Sequence, residues 1–391
     1  MTMGSGRSAR VAIAGVLAAV LMASSVAYGP AVAEPYEDGA ADWAGSRYAD
    51  RPTTGWMSAG AGDRVHDIAQ IGDRIYLAGS FSGIRWGSQG RVRARAHLIA
   101  VNRFTGEPDW SFDPRFDGPV FSLAVGAGGG RLYVGGAFTR VDGRDRRRIV
   151  ALTPGGEVVA GWRSQARGGN VRALVATRTY LYVGGDFASV AGTARRGLAR
   201  VHRATGRIDR AWNASAQGGA VLALEMPPSR NRLYVGGRFR SVNGWGNTDR
   251  LVALRTQEGR IDTGFGRQPG RDVFDLLADG RGRLWAALDG AGGRAELLDR
   301  GGRVLNAWDT DGDVQAVERI GDRVFFGGHE LIGSAAVATV DYDSGRGWDD
   351  TFRPGIGGGD GVWAFHADGR QLWVGAQATG PFTGFARYPA G

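Results

Sequence analysis

The sequence contains no cysteine and no lysine, and it has only five histidines. Without cysteine the chain can form no disulfide, no thiolate metal site and no cysteine-linked lipid anchor. All 48 basic residues are therefore arginine, and the formal net charge is +9. An arginine-only basic set reflects genomic base composition more often than a site for a polyanion, so charge alone identifies no partner.

Glycine is abundant, with 67 residues, and 43% of the chain is hydrophobic. Frequent glycine indicates many turns and close backbone contacts rather than long helices. The apolar content is sufficient for a sizeable core. The length of 391 residues fits one large all-β domain as well as two ordinary domains.

Residues 1–33 have the features of a secretory signal peptide. Two arginines precede an apolar run over 11–26, and the pattern AVA at 31–33 provides a small-residue cleavage site. The apolar run is too short and wrongly flanked for a membrane span. We therefore expect a secreted, extracellular protein without membrane insertion, with a linker over residues 34–50 and the folded domain over 51–391.

A repeated strand pattern dominates the remaining sequence. The string RLYVGGAF at 131–138 recurs as YLYVGGDF at 180–187 and RLYVGGRF at 232–239, with looser copies from residues 74, 283, 323 and 371. Each copy follows a strand-like segment that begins with a valine. These valines are Val65, Val120, Val171, Val221, Val273, Val314 and Val362. Units of about 40–50 residues built from short apolar strands and glycine turns are typical of propeller blades.

The ends of the repeats predict how the domain closes. Each full repeat continues with a third strand, a hairpin turn and a fourth strand that ends on an aromatic residue. These aromatics are Trp110, Trp162, Trp212, Phe265, Trp308 and Phe352. The seventh repeat stops after its third strand, and Trp56 lies nine residues before Val65, as Trp162 does before Val171. We predict an all-β, seven-bladed β-propeller with four antiparallel strands per blade, closed by the N-terminal strand near Trp56. A six-bladed ring or a split array is the alternative.

The pattern L-Y-V-G-G-x-F-x-x-V-x-G occurs at 132–143, 181–192 and 233–244. It resembles the delta-sixty repeat of bacterial secreted proteins, and the resemblance covers nearly the whole region after the signal peptide. Three copies match well and four are degraded. The resemblance implies a propeller fold and export. It transfers no catalytic residue, because that family is largely without an assigned activity.

The starts of the first strands are expected to meet at one mouth of a central channel. The third position of these strands is small in five repeats, whereas the first and fifth repeats have Asp67 and Asp275 there. The second position and the residue before the valine vary between polar and aromatic types. The predicted ligand-binding residues are His66, Phe121, Asn170, Arg172, Gln315 and Trp363. This mixture fits a sugar or another polyhydroxylated ligand; a polar mouth that simply holds water is equally open.

These residues leave more than one function open. We favour a non-catalytic binding or interaction propeller, expected to be monomeric, that recognises a polysaccharide or a cell-surface protein. The alternative is a polysaccharide hydrolase or lyase, in which two carboxylates divide the acid and base duties. The candidate catalytic residues are Asp67, Asp275, Asp272 and Asp313. A purely structural surface scaffold is a third reading.

The remaining motifs are weaker. Arginines cluster between the second and third strands, at Arg91, Arg93, Arg95, Arg144, Arg146, Arg147, Arg148, Arg195 and Arg196. They suggest either a site for an anionic polymer or solvated loops. No recognised nucleic-acid-binding module is present, so we expect no nucleic acid partner.

One acidic segment has the start of a calcium loop, with Asp309, Asp311 and Asp313 at alternate positions. The bidentate acid expected at its twelfth position is Ile320, which leaves only a weak calcium site. The histidines lack metal-binding spacing. The sequence therefore predicts no metal and no other cofactor.

Overall fold

The computed structural model describes residues 54–58, 63–85, 92–246, 248–290, 292–333, 335–348, 361–368, 371–377 and 384–389. The predicted signal peptide and linker lie outside these residues, as do Arg91 and Phe352. Within the described residues the chain forms strands, bridges and turns and has no helix. A search of these residues for a helix with the length and apolarity of a membrane span gives none.

The strands are short, and most have two to seven residues. The first part of the chain contains β1 (Thr54–Ser58), β2 (Val65–Ile71), β3 (Arg74–Gly79), β4 (Gly83–Arg85), β5 (Val92–Ala94), β6 (Leu98–Asn102), β7 (Val120–Val125), β8 (Leu132–Gly136), β9 (Arg140–Val141), β10 (Arg144–Asp145), β11 (Ile149–Leu152), β12 (Ala166–Arg167), β13 (Val171–Ala176), β14 (Tyr180–Gly185), β15 (Ser189–Val190) and β16 (Thr193–Ala194). The second part contains β17 (Leu198–His202), β18 (Ala216–Gln217), β19 (Val221–Glu225), β20 (Arg232–Gly237), β21 (Ser241–Val242), β22 (Leu251–Arg255), β23 (Val273–Ala278), β24 (Leu284–Leu288), β25 (Arg294–Leu298), β26 (Val304–Asp309), β27 (Val314–Ile320), β28 (Arg323–Ile332), β29 (Ala335–Asp341), β30 (Gly361–Ala367), β31 (Gln371–Gln377) and β32 (Gly384–Pro389).

Seven of the described sheets share one plan, in which an inner strand pairs with the strand that carries the glycine motif. The inner strands are β2, β7, β13, β19, β23, β27 and β30. A third strand follows on the other side of the motif strand, as β11, β17 and β22 do. Each inner strand contacts the next one along the chain, and β30 contacts β2. The hydrophobic clusters lie between consecutive sheets. The core is therefore divided among these interfaces, here called seams.

The two ends of the domain meet in one sheet. Strand β1 pairs antiparallel with β32, and Trp56 lies opposite Phe385 in the register. The other edge of β1 pairs with β4. The N-terminal strand therefore belongs to the same sheet as the C-terminal strands β30, β31 and β32.

The prediction of a complete fourth strand in every repeat is wrong for most of the described sheets. In the part of the chain that the structure describes, β26 is a full fourth strand, whereas four other repeats keep a single bridge, such as Val201 with Ile208. The cause is an aspartate turn: the carboxylate of Asp209 accepts a hydrogen bond from the backbone N–H of Ala211 and bends the chain. The following aromatic residue enters the core from this turn, and Trp212 is fully buried.

The first glycine of the motif allows consecutive sheets to interlock. A Cβ atom added to Gly184 would lie 2.6 Å from a methyl group of Val221 on the next inner strand. The same contact, at 2.6 or 2.7 Å, occurs at Gly135, Gly236, Gly327 and Gly375. No side chain fits at such distances, which explains glycine in the interior of a strand. The close backbone approach predicted from the sequence is confirmed.

Candidate functional site

A β-bulge in every inner strand creates the site. In β2, Val65 pairs with Gly79 and Asp67 with Ala78, so His66 is the extra residue between them. The same shift occurs in the other six inner strands. A bulge changes the direction of the side chain of the extra residue. The seven bulged residues are His66, Phe121, Arg172, Leu222, Phe274, Gln315 and Trp363, and all of them line one cavity of about 490 Å³, here called the funnel.

Three arginines line the funnel, and each lies over the face of an aromatic ring. The pairs, measured from the guanidinium carbon to the ring centroid, are Arg64 with Trp363 at 4.4 Å, Arg172 with Phe121 at 5.2 Å and Arg238 with Phe274 at 5.5 Å. Cation–π contacts of this kind hold a guanidinium in place. Two of the three also have polar partners within the protein, because Arg64 donates to the Gln377 side chain and Arg238 pairs with Asp272 at 2.7 Å. The wall of the funnel therefore alternates flat apolar surface with positive charge.

His66 is an uncharged member of this wall. Its Nε2 lies 2.6 Å from the hydroxyl of Ser80, and its ring meets Phe121 edge to face at 5.2 Å. Burial, together with the positive charges of Arg64 and Arg172, lowers the pKa of His66 to about 3. At neutral pH the imidazole acts as a hydrogen-bonding group and not as a cation.

A second group of funnel residues comes from the variable position of the motif Y-V-G-G-x-F, which sequence reasoning missed. In the seven repeats this position is Ser80, Ala137, Asp186, Arg238, Asp289, His329 and Gln377. Ser80 and Arg238 line the funnel, Gln377 accepts a hydrogen bond from Arg64, and Asp186 lies 3.8 Å from the Arg172 guanidinium. Variation at one place in an otherwise regular motif is the signal that would have found them.

Three polar atoms in the funnel wall are buried without a hydrogen-bond partner among the described residues. They are the side-chain oxygen of Gln315, the indole N–H of Trp363 and the Nε–H of Arg172, one acceptor and two donors. Gln315 is only 8% exposed. Buried polar groups of a folded protein nearly always have a partner, so such atoms in a cavity mark a place for a polar ligand or water.

Asp67 and Asp275 lie at the base of the funnel and bridge neighbouring inner strands. Each carboxylate accepts one hydrogen bond from the next residue of its own strand and one from the following inner strand. The second bond joins Asp67 to the backbone N–H of Leu123 at 2.7 Å, and Asp275 to that of Val317 at 2.9 Å. Both aspartates therefore have a structural role, which accounts for an acidic residue at a strand position where the other five repeats have a small one.

The register explains why only these two strands carry aspartate. Asp67 lies opposite Ala78, and Asp275 lies opposite Ala287, at the place where the other five sheets have the first glycine. In those five sheets the glycine lies opposite serine or alanine. A methyl group at this place needs room that the glycine contacts of the other five sheets do not leave. At both alanine positions the facing aspartate also bonds to the next inner strand.

Burial controls the charge of these two groups. It raises the pKa of Asp67 to about 8 and that of Asp275 to about 7, against the backbone hydrogen bonds that favour the ionised form. The charge of Asp275 contributes further to the raised pKa of Asp67. At neutral pH Asp67 is mainly protonated, and Asp275 is near its midpoint.

Two deeper carboxyl groups, Glu225 and Glu318, were also missed from the sequence. They occupy the fifth position of their inner strands, where most other repeats are apolar. Glu225 accepts a hydrogen bond from the backbone N–H of Ala278 at 3.1 Å, and Glu318 is 2% exposed. Burial raises the pKa of both glutamates, and the charge of Asp275 raises it further.

The other candidate residues are outside the funnel wall. Asp272 forms an ion pair with Arg250 at 2.9 Å. Burial and a hydrogen bond with Asp289 raise the pKa of Asp313. The backbone N–H of Asn170 donates to a neighbouring carboxylate. The structure thus places five of the ten predicted site residues away from the funnel wall or in structural bonds at its base, and it brings the bulged residues together.

The acidic segment does not form a calcium site in the part of the chain that is described. No group of three or more acidic or histidine side chains there is placed to hold a metal ion. Asp309 pairs with Arg294 at 2.6 Å, and Asp311 accepts a hydrogen bond from the backbone N–H of Gly333. The calcium expectation has no support from this geometry.

The predicted arginine clusters do not line the funnel where they are described. Several have partners within the protein: Arg93 lies 4.3 Å from the centroid of the Trp110 ring, and Arg147 pairs with Asp145 at 3.0 Å. Arg195 is buried. These contacts favour the interpretation of the clusters as ordinary loop residues.

The comparisons with known proteins agree on the fold. A family model described as a domain of unknown function (DUF5122) beta-propeller matches residues 130–158. The WD40 beta propeller domain of Doa1 is 12% identical, with a TM-score of 0.55 over 85% of this chain and 96% of that one. The computationally designed Ika8 protein is 12% identical, with a TM-score of 0.52 over 88% of this chain and 100% of that one. No curated protein matches.

The protein is therefore a β-propeller. At these identities the likeness to the solved structures indicates the fold alone.

Proposed function

We propose that the protein is a closed, seven-bladed propeller of the delta-sixty type. Three observations support this: the contact of each inner strand with the next, the contact of β30 with β2, and the pairing of β1 with β32. The interlock between Gly375 and Val65 has the same geometry as the interlocks within the chain. In a closed ring of this kind the sheets have only short, protected edges.

The funnel of this propeller binds a saccharide, and the protein acts as an extracellular binding module that a signal peptide over 1–33 directs to export. The carrying observation is the pair of unpartnered polar atoms on Gln315 and Trp363 inside a cavity walled by aromatic rings. Sugars need hydroxyl partners together with a flat apolar surface, and this wall offers both. The volume of about 490 Å³ lies in the range of small-molecule sites.

The same geometry favours binding over hydrolysis. A glycosidase needs two carboxyl groups free to reach the scissile bond. Here Asp67 and Asp275 each hold two backbone N–H groups, and Asp272 is held by arginine. The hydrogen-bonding capacity of the carboxyl groups in the funnel is therefore used within the fold, which leaves them poorly placed to act on a ligand.

Replacing Trp363 by alanine tests the binding site. We expect isothermal titration against a panel of neutral and acidic oligosaccharides to show at least a tenfold loss of affinity, because the variant removes both the stacking surface and the indole donor. The matched control is Trp245→Ala, since Trp245 is 57% exposed and does not line the funnel. The control should bind as the unmodified protein does.

Three outcomes would contradict this proposal. If the unmodified protein shows no binding signal with any oligosaccharide of the panel, saccharide binding is not its function. Equal losses in the Trp363 and Trp245 variants place the site elsewhere. Release of reducing ends from a bound oligosaccharide, abolished by Asp275→Asn, replaces the binding module with an enzyme.

A further inference from the structure

The wall of the funnel is electrically uneven. Arg64, Arg172 and Arg238 come from the first, third and fourth repeats, whereas the neutral polar groups Gln315 and Trp363 come from the sixth and seventh. The position of Arg64 over the Trp363 ring joins the two parts. A ligand in the funnel therefore meets cationic groups on one side and neutral hydrogen-bonding groups on the other.

Ion pairs with acidic neighbours offset part of this charge, with Asp272 2.7 Å from Arg238 and Asp186 3.8 Å from Arg172. The carboxyl groups that line the cavity itself offset little more at neutral pH. Asp67 and Asp275 are the carboxyl groups that line the cavity, and burial raises the pKa of these groups to about 8 and about 7. Arg64 and Arg172, after burial itself, lower the pKa of His66. The field on the cationic side thus disfavours a second positive charge and favours an anion.

Arg172 has the geometry of an anion ligand on this side. Its Nε atom is buried without a hydrogen-bond partner among the described residues, because the Asp186 carboxylate lies 3.8 Å away. The guanidinium is held over the Phe121 ring at 5.2 Å, and a third of the side chain is exposed. A guanidinium that is fixed by stacking, and whose ion pair with Asp186 is longer than a hydrogen bond, is suited to a charge-assisted bond with a ligand carboxylate.

We propose that the saccharide bound in the funnel carries a carboxylate, as a uronic acid unit does, and that Arg172 pairs with it while Gln315 and Trp363 bond to hydroxyl groups. This inference rests on the proposed function and narrows its ligand class. Under this proposal a single side chain of the wall, Arg172, distinguishes an acidic saccharide from a neutral one.

The test uses a pair of probes that differ only in the charge of the carboxyl group. Calorimetric titration with pentagalacturonate and with its methyl ester should give at least tenfold weaker binding of the ester. Arg172→Gln should weaken binding of the acid by about tenfold or more and remove most of the difference between the probes, since a hydrogen bond to a charged group is worth about 1.5–3 kcal/mol. Oligomers of glucuronate and of glucose repeat the comparison on a different sugar.

The matched control is Arg178→Gln. Arg178 is exposed in the turn between β13 and β14, so the substitution removes the same charge from the same hairpin but away from the funnel wall. This variant should retain the affinity for pentagalacturonate. Melting temperatures of both variants show that the fold is intact.

The outcomes separate this inference from the proposed function. Equal affinity for an acid and its neutral counterpart, in both sugar series, overturns the carboxylate proposal while saccharide binding stands. Equal loss in Arg172→Gln and Arg178→Gln overturns the role of Arg172 and indicates a general charge effect. Failure of every acidic and neutral probe to bind the unmodified protein overturns the proposed function itself.

Discussion

Replacing Asp67 by alanine at pH 4.5 is expected to lower the free energy of unfolding by about 2–4 kcal/mol. The substitution leaves the backbone N–H of Leu123 without its acceptor in a buried seam, and an unsatisfied buried donor costs about 1–3 kcal/mol. The space left by the carboxyl group adds a cavity term. The measurement is chemical denaturation, made at a pH where ionisation of the aspartate does not mask the packing effect.

Adding Ala78→Gly to this variant should restore part of the lost stability. The double variant rebuilds the glycine–alanine seam that occurs naturally at Gly184 and Ala173, and the next inner strand can then move inward. Alone, Ala78→Gly should destabilise, because glycine weakens a strand and leaves Asp67 in place. A double-mutant cycle should give a coupling energy of about 1–2 kcal/mol between the two positions.

Additive effects would show that the pairing of alanine with aspartate is coincidental. The equivalent cycle at Asp275 and Ala287 serves as a replicate, because it has the same register and the same bond to the next strand. A coupling at one seam and none at the other would limit the explanation to that seam.

The regular part of this fold could be predicted from the sequence because it repeats. In five of the seven sheets the motif glycine contacts the valine of the next inner strand, so the two recur together, as at Gly135 and Val171 and again at Gly184 and Val221. Strand positions and the close approach of neighbouring sheets follow from such recurrence. The direction of the second-position side chains does not, because the bulge that turns them depends on pairing with the neighbouring strand.

The site was predicted less completely, for related reasons. His66, Arg172 and Trp363 could be found because they vary at a fixed place in the repeat. Glu225 was missed because most other repeats have an apolar residue at the fifth strand position, which indicates core. The meaning of Asp67 requires its register partner Ala78, which lies on another strand and is not marked by local sequence. The prediction of complete fourth strands was wrong because an aspartate turn competes with strand pairing, as at Asp209.

The stability of this protein should fall as the pH rises from about 4 to 8, opposite to the usual behaviour of carboxylates. A carboxyl group whose folded-state pKa is above its unfolded value binds more protons when folded, so its contribution is fully present at low pH and is lost as the pH rises. Asp67 moves from 3.8 to about 8, and Asp275 moves from 3.8 to about 7. At about 1.4 kcal/mol per pH unit, Asp67 alone accounts for a loss on the order of 5 kcal/mol by pH 8.

Other aspartates set the acid limit of this range. Hydrogen bonds and arginine hold the pKa of Asp209 and Asp262 below the usual value despite partial burial, so their stabilisation is lost as the pH falls below about 4. We therefore expect maximal stability near pH 4 to 5, measured as the midpoint of urea unfolding across a pH series.

Asp67→Ala separates the buried carboxyl group from every other titrating group. Since the variant has no group at this position to ionise, its stability should change less between pH 5 and 8 than that of the unmodified protein, and the deficit seen at pH 4.5 should shrink or reverse by pH 8. The control is Asp343→Ala, because Asp343 is largely exposed and its variant should follow the unmodified pH curve. Parallel curves for all three proteins would mean that Asp67 ionises as readily in the folded chain as in the unfolded one, and the seam would then hold a charged carboxylate throughout.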